Sequence, residues 1–292
     1  MIEDSERFRF ASPSQVGELL SGVGYLPSVE ISSVLYLADR LKKPILVEGP
    51  AGTGKTELAK SAARALGARL IRLQCHEGID ESKALYEWNY KKQLLHIQSD
   101  RKSESWEEVE SDIFSENFLL ERPLLAAIRA KDPVVLLIDE VDRVEIETEA
   151  LLLEVLSEYQ ISIPELGTVV ANQIPLVVLT SNNTRELSEA LKRRCLFLFL
   201  DYPDKEREME IVMSKVPGVS KVLADSIVSF VGSLRELDLK KRPSISETLD
   251  WTLTLLSLGL EEVDESVVKA TINVLLKYRS DISKASKSIL SS

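Results

Sequence analysis

Short runs of apolar residues separate the first part of the chain from the rest. Up to about Tyr202, the segments Ile45–Val47, Leu70–Leu73, Val134–Ile138, Leu176–Leu179 and Leu196–Leu200 are apolar at nearly every position, as strands buried on both faces should be. Between them the apolar residues fall at helical spacing, as with Leu58, Ala59, Ala62 and Leu66 over Glu57–Leu66. Such alternation predicts an α/β domain with a parallel sheet covered by helices. After Asp204 the strand signal stops. Four helical stretches follow, Lys205–Lys215, Lys221–Leu237, Ser244–Leu258 and Asp264–Tyr278. Pro217-Gly218 and Arg242-Pro243 punctuate their boundaries, and Ser244 with Glu247 three residues on forms a capping-box pattern. The expected division is a core over 1–203, a helical domain over 204–282, and a polar, serine-rich tail over 283–292 that frays. Within the core, Leu85–Ile97 reads as two strands around a turn, and Ile161–Ala171 as a hairpin turning near Glu165–Thr168. No internal repeat is visible.

Composition narrows the field. The 292 residues are 44% hydrophobic and 28% charged, ordinary for a globular protein. The longest apolar runs are strand length and too short to span a bilayer. The charged start of the chain, with Glu3, Asp4, Glu6, Arg7 and Arg9, lacks the apolar stretch of a targeting signal, so a cytoplasmic protein is expected. Lys and Arg total 36 against 47 acids, a net charge of −11, which disfavours non-specific binding to nucleic acid. Two cysteines, Cys75 and Cys195, and two histidines, His76 and His96, are too few for a zinc framework.

The chemistry is carried by two segments. Gly49-Pro50-Ala51-Gly52-Thr53-Gly54-Lys55-Thr56 fits the phosphate-loop pattern G-x-x-x-x-G-K-[ST] at every fixed position, between an expected strand and an expected helix. The bare pattern arises by chance in on the order of one such chain in a hundred, and the strand–helix context lowers that sharply. The glycines let successive N–H groups aim at phosphate oxygens. Lys55 is expected to reach the β- and γ-phosphates of ATP, and the Thr56 hydroxyl to ligate Mg²⁺. Val134–Ile138 leads directly into Asp139-Glu140. Two carboxylates ending a buried strand need neutralising. Asp139 is the candidate for holding Mg²⁺, through coordinated water, and Glu140 the candidate for polarising the attacking water. An Asp-Glu pair capping the next helix is the alternative.

With both segments present, the sequence resembles an AAA+ ATPase: a P-loop parallel-sheet core followed by a small all-helical lid. Val177-Val178-Leu179-Thr180-Ser181-Asn182 resembles the sensor-1 strand, which gives Asn182 a part in holding the attacking water. A turn after a strand is the plainer reading of Asn182-Asn183. Ala190-Leu191-Lys192-Arg193-Arg194-Cys195 resembles the segment bearing the arginine finger, with Arg194 the first candidate and Arg193 the second. A solvated basic helix end is the alternative there. Lys240-Lys241-Arg242-Pro243-Ser244 lies near the sensor-2 position, which makes Arg242 a candidate nucleotide contact, although the commoner arrangement places arginine after the proline. The AAA+ strand order would also let Gln74 hydrogen-bond Glu140 and hold it inactive until a partner arrives.

An insertion over about 78–116 and a hairpin over about 160–172 before sensor 1 resemble the MoxR group. The strings Arg72-Leu73-Gln74-Cys75, Ala84–Tyr90, Phe118–Pro123 and Glu247-Thr248-Leu249-Asp250-Trp251 look most like its carbon monoxide dehydrogenase maturation (CoxD-like) branch. That resemblance implies a ring, usually hexameric, acting as a chaperone-like motor. It further implies a partner with a von Willebrand factor A domain and a client of the molybdenum hydroxylase type. The aromatics Tyr86, Trp88 and Tyr90 either face a pore or partner, or pack on their own domain. A DNA-handling AAA+ protein of clamp-loader or restriction type, and a nucleotide-gated binding switch, are the competing functions.

Overall fold

The computed structural model describes residues 8–99, 109 and 112–290. The chain divides into two compact units, Met1–Glu48 with Thr56–Phe199, and Gly49–Lys55 with Leu200–Ser292.

The first unit is built on a five-stranded parallel sheet. Its strands are β1 (Ile45–Glu48), β2 (Arg69–Gln74), β5 (Val134–Asp139), β8 (Leu176–Ser181) and β9 (Leu196–Phe199), in the order β2-β5-β8-β1-β9. The central strands β5 and β8 are buried at all six positions each, which is why their sequences are apolar without alternation. The edge strand β2 alternates instead: Ile71 and Leu73 face inward, while Arg72 and Gln74 share the exposed face. Register aligns Gln74 with Asp139 and Ile138 with Leu179, so the strand ends that carry polar residues lie side by side.

Helices α1 (Pro13–Gly22), α2 (Val29–Leu41) and α3 (Lys55–Leu66) precede β2. Ser12 and Ser28 cap α1 and α2 by accepting N–H bonds from Gln15 and Ile31. Arg9 is tied to α2 through the buried Asp39, with Nη1 2.8 Å from Oδ1.

The region expected as a hairpin at Leu85–Ile97 folds differently. Only β3 (Tyr86–Trp88) is a strand, and it pairs antiparallel with β4 (Leu119–Glu121). Residues Tyr90–Ser99 form a helix, α5, after the single-turn α4 (Glu81–Ala84). Asn89 caps α5: its Oδ1 accepts from Lys92 N at 3.1 Å. Trp88 is buried and packs edge-on against Phe114, centroids 5.2 Å apart, whereas Tyr90 is exposed. Of the insertion expected over 78–116, residues 100–108, 110 and 111 lie outside the described residues.

Helix α6 (Pro123–Ile128) leads to β5, and α7 (Ile146–Glu158) leads to the antiparallel hairpin β6 (Gln160–Ile163) and β7 (Gly167–Val170). Its turn falls within the expected stretch. The short α8 (Glu189–Arg194), capped by Ser188, precedes β9.

The helices of the second unit are α9 (Lys205–Lys215), α10 (Lys221–Glu236), α11 (Ile245–Ser257), α12 (Glu265–Leu275) and α13 (Arg279–Leu290). Trp251 is fully buried among Val212, Ile227, Val231 and Leu255, and its Nε1 donates to Thr271 Oγ1 at 2.8 Å. The frayed tail expected over 283–292 is not what forms. Residues through Leu290 are helical, Ala285 is buried, and Asp281 accepts N–H bonds from Lys240 and Lys241. Ile282 and Ala285, three apart, supply the inward stripe that the serines obscured. Residues 291 and 292 lie outside the described residues.

Candidate nucleotide-binding and catalytic site

The phosphate loop runs from the end of β1 to the start of α3. Gly52 and Gly54 have φ of 77° and 94°, values that exclude most residues with a Cβ. A Cβ on Gly52 would also lie 2.2 Å from Ser244 Oγ. Lys55 is buried, and its Nζ donates to the carbonyls of Gly49 at 2.7 Å and Pro50 at 2.6 Å. The Thr53 hydroxyl donates to Pro50 O at 2.9 Å. A buried ammonium ringed by carbonyls, beside backbone N–H groups, suits a polyanion.

Thr56, the next residue, donates its hydroxyl to Asp139 Oδ1 at 2.9 Å. Asp139 ends β5 and is only 3% exposed. The same Oδ1 accepts from Thr180 Oγ1 of β8 at 2.6 Å. A threonine hydroxyl beside a buried carboxylate is a hard oxygen pair that fits Mg²⁺, which takes few protein ligands and draws the remainder from water and phosphate. Among the described residues no group of three or more His, Cys, Asp or Glu side chains could hold a metal by itself.

Glu140 follows at φ 58°, ψ 48°. Its N–H donates to Thr180 Oγ1 at 2.9 Å, so one threonine ties down both acids. Its Oε2 accepts from Gln74 Nε2 at 3.2 Å and pairs with Arg143 Nε at 3.0 Å. The Gln74–Glu140 contact expected from strand order is therefore present. Arg72, two residues earlier on the same face of β2, puts Nε 3.0 Å and a terminal nitrogen 2.5 Å from Asp139 Oδ2.

Asn182, at the end of β8, lies on a loop held by the buried Asp142. Asp142 Oδ2 accepts from Asn182 N at 3.2 Å, Thr184 N at 2.9 Å and Thr184 Oγ1 at 2.6 Å. Burial alone would raise the Asp142 pKa, but these donors hold it below the usual carboxylate value. Among the described residues nothing hydrogen-bonds the Asn182 carboxamide, which leaves it available for a ligand. Cys75, whose N–H donates to Asp139 O, is inert by comparison: burial first, then the nearby acids, pushes its thiol up to about 12.

Arg193 and Arg194 end α8, both exposed and without a partner among the described residues. They line an open cleft of about 570 Å³ with Glu154, Ser157 and Glu158 of α7. The loop before them is anchored by the buried Glu149, which pairs with Arg185 and accepts from Ser188 N at 3.0 Å. Arg242 lies just before α11, exposed, and its charge acts on Asp238.

The profile of the AAA domain (dynein-related subfamily) matches residues 44–195, from the strand before the phosphate loop to the end of the arginine helix. The chain belongs to this AAA family. It is an ATPase. An uncharacterized protein of Staphylococcus haemolyticus is 25% identical over 213 residues, covering 71% of this chain and 73% of its own. The gas vesicle ATPase GvpN of Haloferax mediterranei is 26% identical over 225 residues, covering 72% of this chain and 63% of its own. Among solved structures, a single-residue mutant of RuvB from Thermotoga maritima superposes with a TM-score of 0.50 at 20% identity, over 92% of this chain and 73% of that one. The likeness to RuvB is one of fold, a parallel sheet with surrounding helices. No helix of the described AAA chain is long and apolar enough to cross a membrane.

Arg72, Thr180 and Asp142 were not legible as AAA site residues in the sequence. Arg72 carried one signal: it interrupts the apolar run Leu70–Leu73 and alternates with Gln74.

Proposed function

We propose that this AAA ATPase binds ATP with Mg²⁺ at Gly49–Thr56 and Asp139 and hydrolyses it with Glu140 as the residue that polarises water. The observation that carries this reading is the 2.9 Å hydrogen bond from Thr56 to Asp139, which joins the two motifs across 83 residues of sequence. Bound magnesium would supply charge neutralisation across the β- and γ-phosphates. Lys55 counters phosphate charge with its ammonium, and Thr56 and Asp139 offer the oxygens for the metal side. Glu140 accepts a proton from water once Gln74 and Arg143 leave its carboxylate free. Asn182 orients that water with its unengaged carboxamide. Arg242 is assigned to the nucleotide from the lid.

AAA+ proteins generally oligomerise, and the unpaired Arg194, with Arg193 beside it, suits a finger that completes the site of a neighbouring copy. The reading is therefore a ring, hexameric in form, working as a chaperone-like remodelling motor in the cytoplasm. The hairpin before sensor 1 and the β3–β4 insertion support placement in the MoxR group. The strings quoted above favour its carbon monoxide dehydrogenase maturation branch, with a von Willebrand factor A domain partner and a metalloenzyme client. The core over 1–203 and lid over 204–282 are the working parts of such a motor.

The test separates binding from turnover. Lys55→Ala should lose nucleotide binding. Glu140→Gln should bind ATP within about threefold of wild type and turn over on the order of 10²-fold more slowly. Normal turnover in Glu140→Gln would remove the carboxylate from its assigned role.

A further inference from the structure

Asp139 has no acceptor capacity left in this structure. An ionised carboxylate offers about four lone-pair sites. The hydroxyls of Thr56 and Thr180 occupy Oδ1, and Arg72 Nε and a terminal nitrogen occupy Oδ2. The same terminal nitrogen of Arg72 also donates to Gln74 Oε1. Its side chain is 46% exposed against 4% for that of Asp139, so the acid is fixed and the arginine is the member free to leave.

A hydrated divalent cation engages such an acid by donating hydrogen bonds from its coordinated water, and is drawn there by the net negative charge. The guanidinium supplies the same two things, donors and positive charge, to Oδ2. The two cations are alternatives at one oxygen. We propose that Arg72 sets the Mg²⁺ requirement of this ATPase, competing with the hydrated metal for Asp139 Oδ2 and yielding only when metal-bound nucleotide enters. The proposal rests on the reading of Asp139 as the metal-side acid. It makes Arg72 a positioning residue, acting through Asp139 with no contact to the reacting atoms. A purely structural role, in which Arg72 simply steadies Asp139, predicts the opposite sign: removing it would weaken metal-dependent binding.

The sign is read from a Mg²⁺ titration of nucleotide binding. The full chain is mixed with a fluorescent, slowly hydrolysed ATP analogue at constant ionic strength, and the Mg²⁺ concentration at half-maximal binding is recorded. Arg72→Gln should lower that midpoint about two- to fivefold, the range for a half-exposed ion pair, with affinity in chelator unchanged within about twofold. Arg72→Lys, which keeps the charge but loses the forked donors, should fall between. A midpoint unchanged or raised in both variants would overturn the proposal. Asp139→Asn distinguishes the two levels of the argument. If it raises the midpoint while Arg72→Gln does nothing, only the role of Arg72 fails. If Asp139→Asn leaves the midpoint unmoved, the metal-side reading fails and the proposal with it. Because Arg72 lies on the exposed face of an edge strand, Arg72→Gln should keep the wild-type circular dichroism spectrum, and Arg72→Met provides a second neutral variant.

Discussion

Glu140 sits in the left-handed region at φ 58°, where a residue with a Cβ is strained by about 1–2 kcal/mol. Thr180 counters that strain by accepting the Glu140 N–H while donating to Asp139. Asp142 does comparable work for Asn182. Three donors converge on one of its oxygens, so the loop after β8 is pinned to the turn after β5. Asp142→Ala should lower turnover on the order of 10²-fold, as expected when a reacting geometry is displaced, and leave ATP affinity within about threefold. Combined with Asn182→Ala it should cost no more than Asn182→Ala alone, because both changes remove one arrangement. Amide hydrogen exchange over 181–184 would rise in Asp142→Ala, and unchanged exchange there would sink the argument. The phosphate loop and the Asp139-Glu140 pair could be read from the sequence because each is contiguous and its spacing carries its chemistry. Arg72 and Thr180 could not, because they reach the site through strand register, and Asp142 could not, because it meets the loop after β8 from the turn after β5; no local stretch encodes either.

Among the elements, α7 and α8 show how a buried acid positions a distant pair of arginines. Glu149 on α7 is 1% exposed, and it holds Arg185 and the Ser188 N–H at the start of α8. Burial raises its pKa, but the Ser188 and Arg185 hydrogen bonds lower it more, so its carboxyl is held below the usual glutamate value. A depressed carboxylate contributes stability above its unfolded pKa and loses it as pH falls through the folded value. Glu149→Gln should therefore lower Tm most at pH 7, and the gap to wild type should close as pH drops below about 4.5, followed by thermal unfolding across pH 3–7. A constant gap would show that charge is not what holds α8. Periodicity identified the five strands of the parallel sheet, where burial on both faces leaves an apolar run, together with α3 and the helices α9 to α12. It failed at Asn89 and beyond Arg279, where one polar residue serves equally as turn former or helix cap, and where serines mask a narrow apolar stripe. Telling these apart takes the tertiary partners, Ile113 O for Gln93 and the Lys240 and Lys241 N–H groups for Asp281.

At the scale of the whole molecule, two exposed arginines without partners on a chain of net charge −11 are a feature to be explained. Acids are plentiful nearby, with Glu154 and Glu158 lining the same cleft, yet neither arginine pairs with them. In the proposed ring, the nucleotide bound by a second copy would give them an anion. Arg194→Ala should bind ATP normally but hydrolyse it slowly, and mixing with Lys55→Ala subunits should restore turnover, since each variant then lends what the other lacks. Absence of recovery across mixing ratios would argue against action between subunits.

The shared strand direction gives the sheet two unlike rims. Glu48, Gln74, Asp139 and Ser181 all finish their strands at one rim, and the chemistry gathers there. The other rim is exposed at Lys131, Asp132 and Gln173, where Gln173 Nε2 donates to Lys131 O at 2.7 Å and ties two loops together. A dye or an affinity handle grafted at Asp132 would report on the machine from behind, without intruding on the reaction it performs.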